Sequence, residues 1–438
     1  MPGVILSKGR VASIRRKFTI SFFYLTAYSL IFFGYYKFIV PIFGYSGFEW
    51  NPDNAKIIEG IFLSAFIPYI LPCRFSKPSD VLLHIQLLFP ILPMFVLYGV
   101  EGLPREFLYY TLISYLLIVL IASNLRVKSI RITKISPILF QRILLSLSLA
   151  VIGFIVLLGG TRYLNLDLST VYEFRSDAAS NLPRIFGYFS PLVSKVMLPF
   201  SLLLALINRD KLLMLVSIAG SVMMFGLTAH KGPVFYPFAV LALYFVLGAK
   251  NVVRMLLFGY LFILGISLLD FALQGYWIGS LMLRRTFLVP AHLNYLYYDY
   301  FSNYSFVLWA QSKITFGIID SPYNIDTSHL IGSVYLGNEL TGANTGWIGS
   351  GYMNAGFLGM LLYAVILGLL MAILNAYSKS IDKRIVSAII IAPMLTVMNS
   401  SDLPTALLTH GFFLSLVLFS LFSIRNITLR HKINSAVQ

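Results

Sequence analysis

Apolar stretches of ~17–25 residues, the length that a bilayer's hydrocarbon core demands of a helix, recur along the chain from Phe18 to Ser423. A chain with so many of them cannot bury them all in water. The expected fold is therefore an all-α polytopic membrane protein with a single integral membrane domain over residues 1–438. Charge agrees: 11% of the residues are charged and 58% are hydrophobic, where a soluble domain carries about 25% charge.

Reading the apolar runs gives about twelve transmembrane helices. They lie near Phe18–Val40, Ile57–Leu71, Val81–Gly99, Phe107–Ser123, Leu139–Leu158, Tyr188–Ile207, Leu212–Leu227, Val234–Leu247, Val252–Leu269, Gly346–Leu374, Ile385–Met398 and Thr405–Phe422. The first has a basic flank and no small-residue cleavage site after it, so it reads as a retained signal anchor.

A net charge of +16 invites a nucleic-acid reading, but the cations sit in every second loop, as the positive-inside rule requires. Arg74/Lys77, Arg126/Lys128/Arg131/Lys134, Arg209/Lys211, Lys250/Arg254, Lys379/Lys383/Arg384 and the tail then share one side, which places both termini in the cytoplasm. Nucleic acid is not an expected partner. On the opposite side two long loops stand out, residues 159–187 and 271–345. The second is too long for a mere connection and is expected to form short helices on the membrane surface.

A minority of cations break the charge rule: Arg105, Arg162, Arg175, Arg184, Lys195, Lys231, Arg284, Arg285 and Lys313. Such cations in a charge-poor protein suit an anionic ligand. Arginine offers a planar fork matched to phosphate oxygens, whereas lysine acts as a point charge. The adjacent Arg284 and Arg285 suit a diphosphate, with Arg175, Arg184 and Lys231 as further diphosphate-binding candidates. The bland alternatives are lipid headgroups for the arginine pair, and for Arg175 a pairing with Glu173 or Asp177.

An acceptor hydroxyl attacking a sugar carbon needs a general base. His230, His329 and Glu339 are candidates, as are Asp326, Asp299 and His292; no spacing singles one out, and a lone histidine is more often structural. Asn344, Asn338 and Tyr298 are of the types that line sugar pockets. Polar groups near helix ends, namely Asp270, Lys195, His410 and the run Asn399–Asp402, are functional candidates by their setting, although Asp402 could simply cap the last helix. With one cysteine, Cys73, and no metal or phosphate-loop motif, neither metal nor cofactor is expected. A cation clamp is the economical alternative for stabilising a departing diphosphate.

The segment Ile331–Leu361 contains Ala343-Asn344-Thr345-Gly346 entering a helix, followed by a paired Gly-x-x-Gly. Together with Arg284-Arg285 before Val289-Pro290-Ala291 and the two long outer loops, it resembles the Wzy-type O-antigen polymerases. The resemblance implies a membrane glycosyltransferase of GT-C-like architecture, metal-independent, in the inner membrane of a Gram-negative bacterium. It would move a growing glycan from undecaprenyl diphosphate to a new lipid-linked repeat unit on the periplasmic face, alongside membrane lipid and a chain-length regulator protein. Arg175, Arg284 and Arg285 match the family's essential arginines. One departure is His230-Lys231-Gly232, where relatives carry Ser-Arg-Gly; a lysine there keeps the charge and loses the fork. The alternatives are an O-antigen ligase, which uses the same donor, and a flippase, which would need a cation-lined cavity and two related halves.

Overall fold

The computed structural model describes residues 8–129, 135–164, 183, 185–228 and 232–422. It is all-helical, with an isolated bridge between Ile135 and Phe422 and no strand among the described residues. Among the described residues eight helices are long and apolar enough to cross a membrane: Ile14–Ser46, Pro78–Val100, Arg105–Asn124, Pro137–Leu157, Phe186–Asn208, Lys211–Thr228, Val252–Ala272 and Trp347–Tyr377. A ninth span is formed if Leu403–Thr409 and Phe412–Leu421, which meet at 44°, count as one. The other expected stretches are helical but shorter, over Asn54–Phe66, Gly232–Val246 and Lys383–Asn399. All twelve predicted positions are therefore helical, while fewer reach spanning length.

Helix ends follow local chemistry. Asp53 accepts from the amides of Ala55 and Lys56 to start Asn54–Phe66, and Ser136 accepts from the Leu139 amide to start Pro137–Leu157, each satisfying donors that a first turn leaves open. Lys77 closes another end by donating to the carbonyls of Ala122 and Ser123.

Prolines reshape four helices from within. The π-helical stretches Tyr35–Ile39, Leu87–Ile91, Val193–Met197 and Ser280–Leu288 are each followed, two residues on, by Pro41, Pro93, Pro199 and Pro290. A proline has no N–H for the carbonyl four residues back and its ring crowds that carbonyl. The carbonyls in question belong to Lys37, Phe89, Lys195 and Thr286, all inside the widened turns. Widening re-aims the side chains there, as π-bulges at functional sites do.

The chain divides into two compact units. The first takes Met1–Leu125, Ala249–Met371 and Val397–Leu403; the second takes Arg126–Gly248, Ala372–Thr396 and Pro404–Gln438. At the heart of the first unit lies Pro78–Val100, 94% buried over its apolar window. Neighbours donate to its backbone: the hydroxyls of Tyr115 and Tyr260 reach the carbonyls of Leu83 and Leu88, both at 2.9 Å. Close approach at its C-terminal end requires glycine, because a Cβ at Gly99 would lie 2.8 Å from the Ile57 side chain and 2.9 Å from its Cα.

The stretch expected over Gly346–Leu374 is helical and apolar enough to span, but it is not one straight rod. The helical run Trp347–Tyr377 breaks at Ala355 and Gly356, where Gly356 takes φ 59°, ψ −145°, a region open in practice only to glycine. The chain reverses there. A Cβ at Gly351 would sit 3.1 Å from the Met360 Cα, although nine residues of straight helix span ~13.5 Å. The arms 347–355 and 357–377 thus form a helical hairpin. Its tip is held by residues 307–309: the Trp309 amide donates to Asn354 Oδ1 at 2.8 Å, and the Leu308 and Val307 amides reach the carbonyls of Asn354 and Met353. The Trp309 indole donates to Tyr363, whose hydroxyl donates to Asp402 Oδ1 at 2.7 Å.

In the second unit, Pro137–Leu157, Phe186–Asn208 and Lys211–Thr228 pack side by side. Gln141 donates to the Ser201 carbonyl at 3.2 Å and accepts from Asn208 at 3.0 Å, while the hydroxyls of Ser201 and Ser217 meet at 3.0 Å. Phe140, Phe200 and Phe422 close one end as an aromatic cluster.

Candidate functional site

The segment expected as a surface loop over 271–345 contains the first unit's most unusual helix. Trp277–Gly279, Ser280–Leu288 and Val289–Asn303 abut in one continuous helical path. A tight turn leads into it, with Gln274 and Tyr276 at φ 61° and 58°. Asp270 accepts from the Gly279 amide at 2.9 Å, so this carboxylate serves as the turn's clasp. The helix then enters the bundle. Phe287 packs on Phe89 (5.3 Å between ring centres) and Tyr260 (4.8 Å), both near the middle of long apolar helices. Leu283 lies against Gly34, where a Cβ would meet it at 2.6 Å. Over 277–303 the segment is therefore helical and largely buried.

That placement gives Arg284 and Arg285 different surroundings. Arg284 is half-buried, with its guanidinium carbon 4.3 Å from the centre of the Phe43 ring and its Nε buried without a hydrogen-bond partner. It also hydrogen-bonds Tyr45. A buried guanidinium donor left unmatched is costly, and the Phe43 face and the Tyr45 bond compensate the cation in part. Arg285 is exposed. The π-helical turn thus holds one arginine inward and its neighbour outward.

Two turns further on, His292 is buried with Nδ1 3.4 Å from Glu101 Oε2, the side chains being 10% and 5% exposed. The separation suits an ion pair, yet Nδ1 makes no hydrogen bond. The Tyr35 hydroxyl lies 2.5 Å from Glu101 Oε1 and 2.7 Å from the Glu49 carbonyl, fixing the carboxylate. Residues 43–48 cover this region: Phe43 and Tyr45 meet Arg284, and the Phe48 ring lies 5.0 Å from the His292 ring. Gly47, at φ +93°, leaves the space in front of His292 Nε2, where a Cβ would come to 3.5 Å. Glu101 was not among the sequence candidates; its only signal was a carboxylate directly after an apolar run.

The remaining candidates separate. Arg175, Arg184, His230 and Lys231 lie outside the described residues. Arg105 is engaged by Glu59 at 3.1 Å and by the Tyr98 hydroxyl. His329 Nδ1 bonds the Glu339 carbonyl at 2.9 Å, and Asn338 Oδ1 accepts from the Leu340 amide, so these exposed residues shape the turn after Thr327–Leu336. Asn344 is exposed and donates to the Gly342 carbonyl. Tyr298 is better placed: it stacks on Phe107 at 4.6 Å, tilts against Tyr352 at 4.9 Å, and its hydroxyl reaches Glu106 at 3.3 Å. With Tyr110 stacked on Phe357 at 4.2 Å, this makes an aromatic platform rimmed by Glu106. Such faces suit the C–H faces of sugar rings, and the carboxylate suits their hydroxyls.

Asp402 sits in the hairpin's network. Burial pushes its carboxyl up to about 6, against hydrogen bonds from Tyr363, Ser350 and the Leu403 amide that pull the other way. Among the described residues no three His, Cys, Asp or Glu side chains gather as a metal site. Comparison of the chain with protein-family models, with curated proteins and with solved structures finds no match.

Proposed function

We propose that this protein polymerises lipid-linked oligosaccharide repeat units. It transfers the growing glycan from undecaprenyl diphosphate to the terminal sugar of a new undecaprenyl-diphosphate-linked unit, on the periplasmic face of a bacterial inner membrane. The observation that carries the reading is the arginine pair on the Ser280–Leu288 turn, one guanidinium half-buried with an unmatched Nε and the next exposed. A diphosphate on a lipid tail offers an oxygen acceptor for the unmatched Arg284 Nε and two negative charges beside an apolar wall.

In the transfer, the acceptor oxygen forms a bond to the donor's anomeric carbon while the bond from that carbon to the diphosphate oxygen breaks. The diphosphate leaves with the electron pair, and guanidinium donors stabilise the charge it gains. The acceptor's proton goes to a base. His292, backed by Glu101, fits that role among the described residues because it shares its cover, residues 43–48, with Arg284. The platform of Tyr298 and Tyr110, backed by Tyr352, would hold the acceptor sugars.

The test is reconstitution of the full-length protein with undecaprenyl-diphosphate-linked repeat units. A ladder of polymer with stoichiometric release of undecaprenyl diphosphate supports the reading. Glycan that moves only onto a lipid A core identifies a ligase instead, and the absence of any transfer removes the enzyme reading.

A further inference from the structure

The second compact unit buries a cation that the transfer reaction does not use. Lys195 lies in the π-helical stretch Val193–Met197, and its carbonyl is the one that Pro199 deprives of an N–H. Its side chain is buried at 8% exposure. The ammonium donates to Thr396 Oγ1 at 2.8 Å and to His410 Nδ1 at 3.1 Å, and it lies 5.7 Å from the centre of the Tyr236 ring. Thr396 spends its own proton on the Ala392 carbonyl, so it meets the ammonium as an acceptor. His410, accepting at Nδ1, is the neutral tautomer with its proton on Nε2.

Nothing neutralises this charge within the described part of the unit. Its two described carboxylates are occupied elsewhere: Asp210 accepts from the Leu213 amide, and Asp382 pairs with Arg384 at 2.6 Å. A buried ion without a counter-charge costs several kcal/mol, and ionisable groups inside helical membrane bundles mark ligand or ion paths. The surrounding backbone is irregular on two sides. Beside the widened turn, the chain breaks at Gly411 (φ +91°), where a Cβ would meet Val196 at 2.5 Å. His410 and Tyr236 are both partly exposed, so the group can be approached.

We infer that Lys195, His410 and Tyr236 form a second oxyanion site, distinct from the arginine pair, which takes one phosphate group. The third ammonium N–H and the His410 Nε2–H are the available donors, and a single cation matches one phosphate rather than a diphosphate. The group could come from a phospholipid headgroup or from free phosphate; the chemistry at the ammonium is the same.

The full-length protein in phosphate-free dodecyl maltoside is titrated separately with inorganic phosphate and with a short-chain phosphatidylglycerol, and thermal unfolding is followed. One of the two raises the midpoint, and which one does so names the source. Lys195→Met should need roughly tenfold or more ligand for the same rise, as loss of a charge-assisted bond implies. Its midpoint without ligand should not fall, because the substitution removes an uncompensated charge. A lysine that merely knits helices together predicts the opposite, a lower midpoint. Thr396→Val and His410→Phe, which keep the ammonium but strip its neighbours, should weaken the response severalfold. Arg284→Ala should leave the response intact, which separates this site from the proposed transfer site. No response to either ligand, an undiminished response in Lys195→Met, or loss of the response in Arg284→Ala would each overturn the inference.

Discussion

Gly359→Ala tests whether Trp347–Tyr377 is a hairpin or a straight rod. The added methyl would fall 2.1 Å from the Gly351 carbonyl oxygen and 3.3 Å from the Ala355 Cβ. Ordinary carbon–oxygen contacts lie at ~3.3–3.6 Å, so the arms would have to part by about an ångström. Overpacking of this kind costs ~1–3 kcal/mol. The control is Gly265→Ala on Val252–Ala272, an exposed site where the new methyl meets nothing within 4 Å. In a straight exposed helix that change is neutral to stabilising by up to ~1 kcal/mol. The two variants should therefore differ by ~1–4 kcal/mol in an SDS-titrated unfolding curve followed by circular dichroism. A second readout uses Gly351→Cys with Met360→Cys in a Cys73→Ser background. A disulfide needs Cα atoms within about 7 Å, which the hairpin permits and a straight helix forbids. Equal stability of the two glycine variants, together with no crosslink under oxidation, would refute the reversal.

Arg284→Lys keeps the charge but loses the guanidinium fork, and should slow transfer by roughly 10–100-fold, the worth of one or two charge-assisted hydrogen bonds; unchanged turnover would remove Arg284 from the site. Transfer by the purified protein should survive EDTA, and a loss restored specifically by Mg²⁺ would contradict a cation clamp made of arginines alone. Asp402 has its carboxyl raised to about 6 from an ordinary value of 3.8. Between those values the folded state holds the proton more tightly than the unfolded one, so this group's contribution falls as pH rises through that window. By pH 7 ionisation has cost ~3 kcal/mol relative to pH below 4. Asp402→Asn should gain stability over the wild type at pH 7 and lose that advantage near pH 4; a difference independent of pH would refute the assignment.

The twelve helical positions were legible because apolar length survives in composition whatever the helices do in space. The reversal at Gly356 was not, since both arms share the same apolar character. Its one trace is Asn354-Ala355-Gly356 within a run of 31 residues, when about 20 suffice to span a bilayer. The helix over 277–303 was hidden for a different reason. Tyrosine, asparagine and aspartate break its apolar character, but in place the tyrosines bury their rings and spend their hydroxyls on carbonyls, as Tyr295 does on Met94 and Tyr297 on Ala343. Arg284 and Arg285 stood out in the sequence by charge placement. His292 could not be separated from other histidines, because what distinguishes it is Glu101, which lies far away in the chain and meets it only after folding.

The enclosure of Pro78–Val100 has a bearing on mutational tolerance. A helix facing lipid on one side accepts changes along that stripe, so tolerance recurs about every 3.6 residues. Val252–Ala272, 33% buried over its apolar window, should show that rhythm, whereas Pro78–Val100, at 94%, has no side turned outward. Saturation mutagenesis along it should find uniform intolerance, with no recurring forgiving position, because each residue answers to a partner.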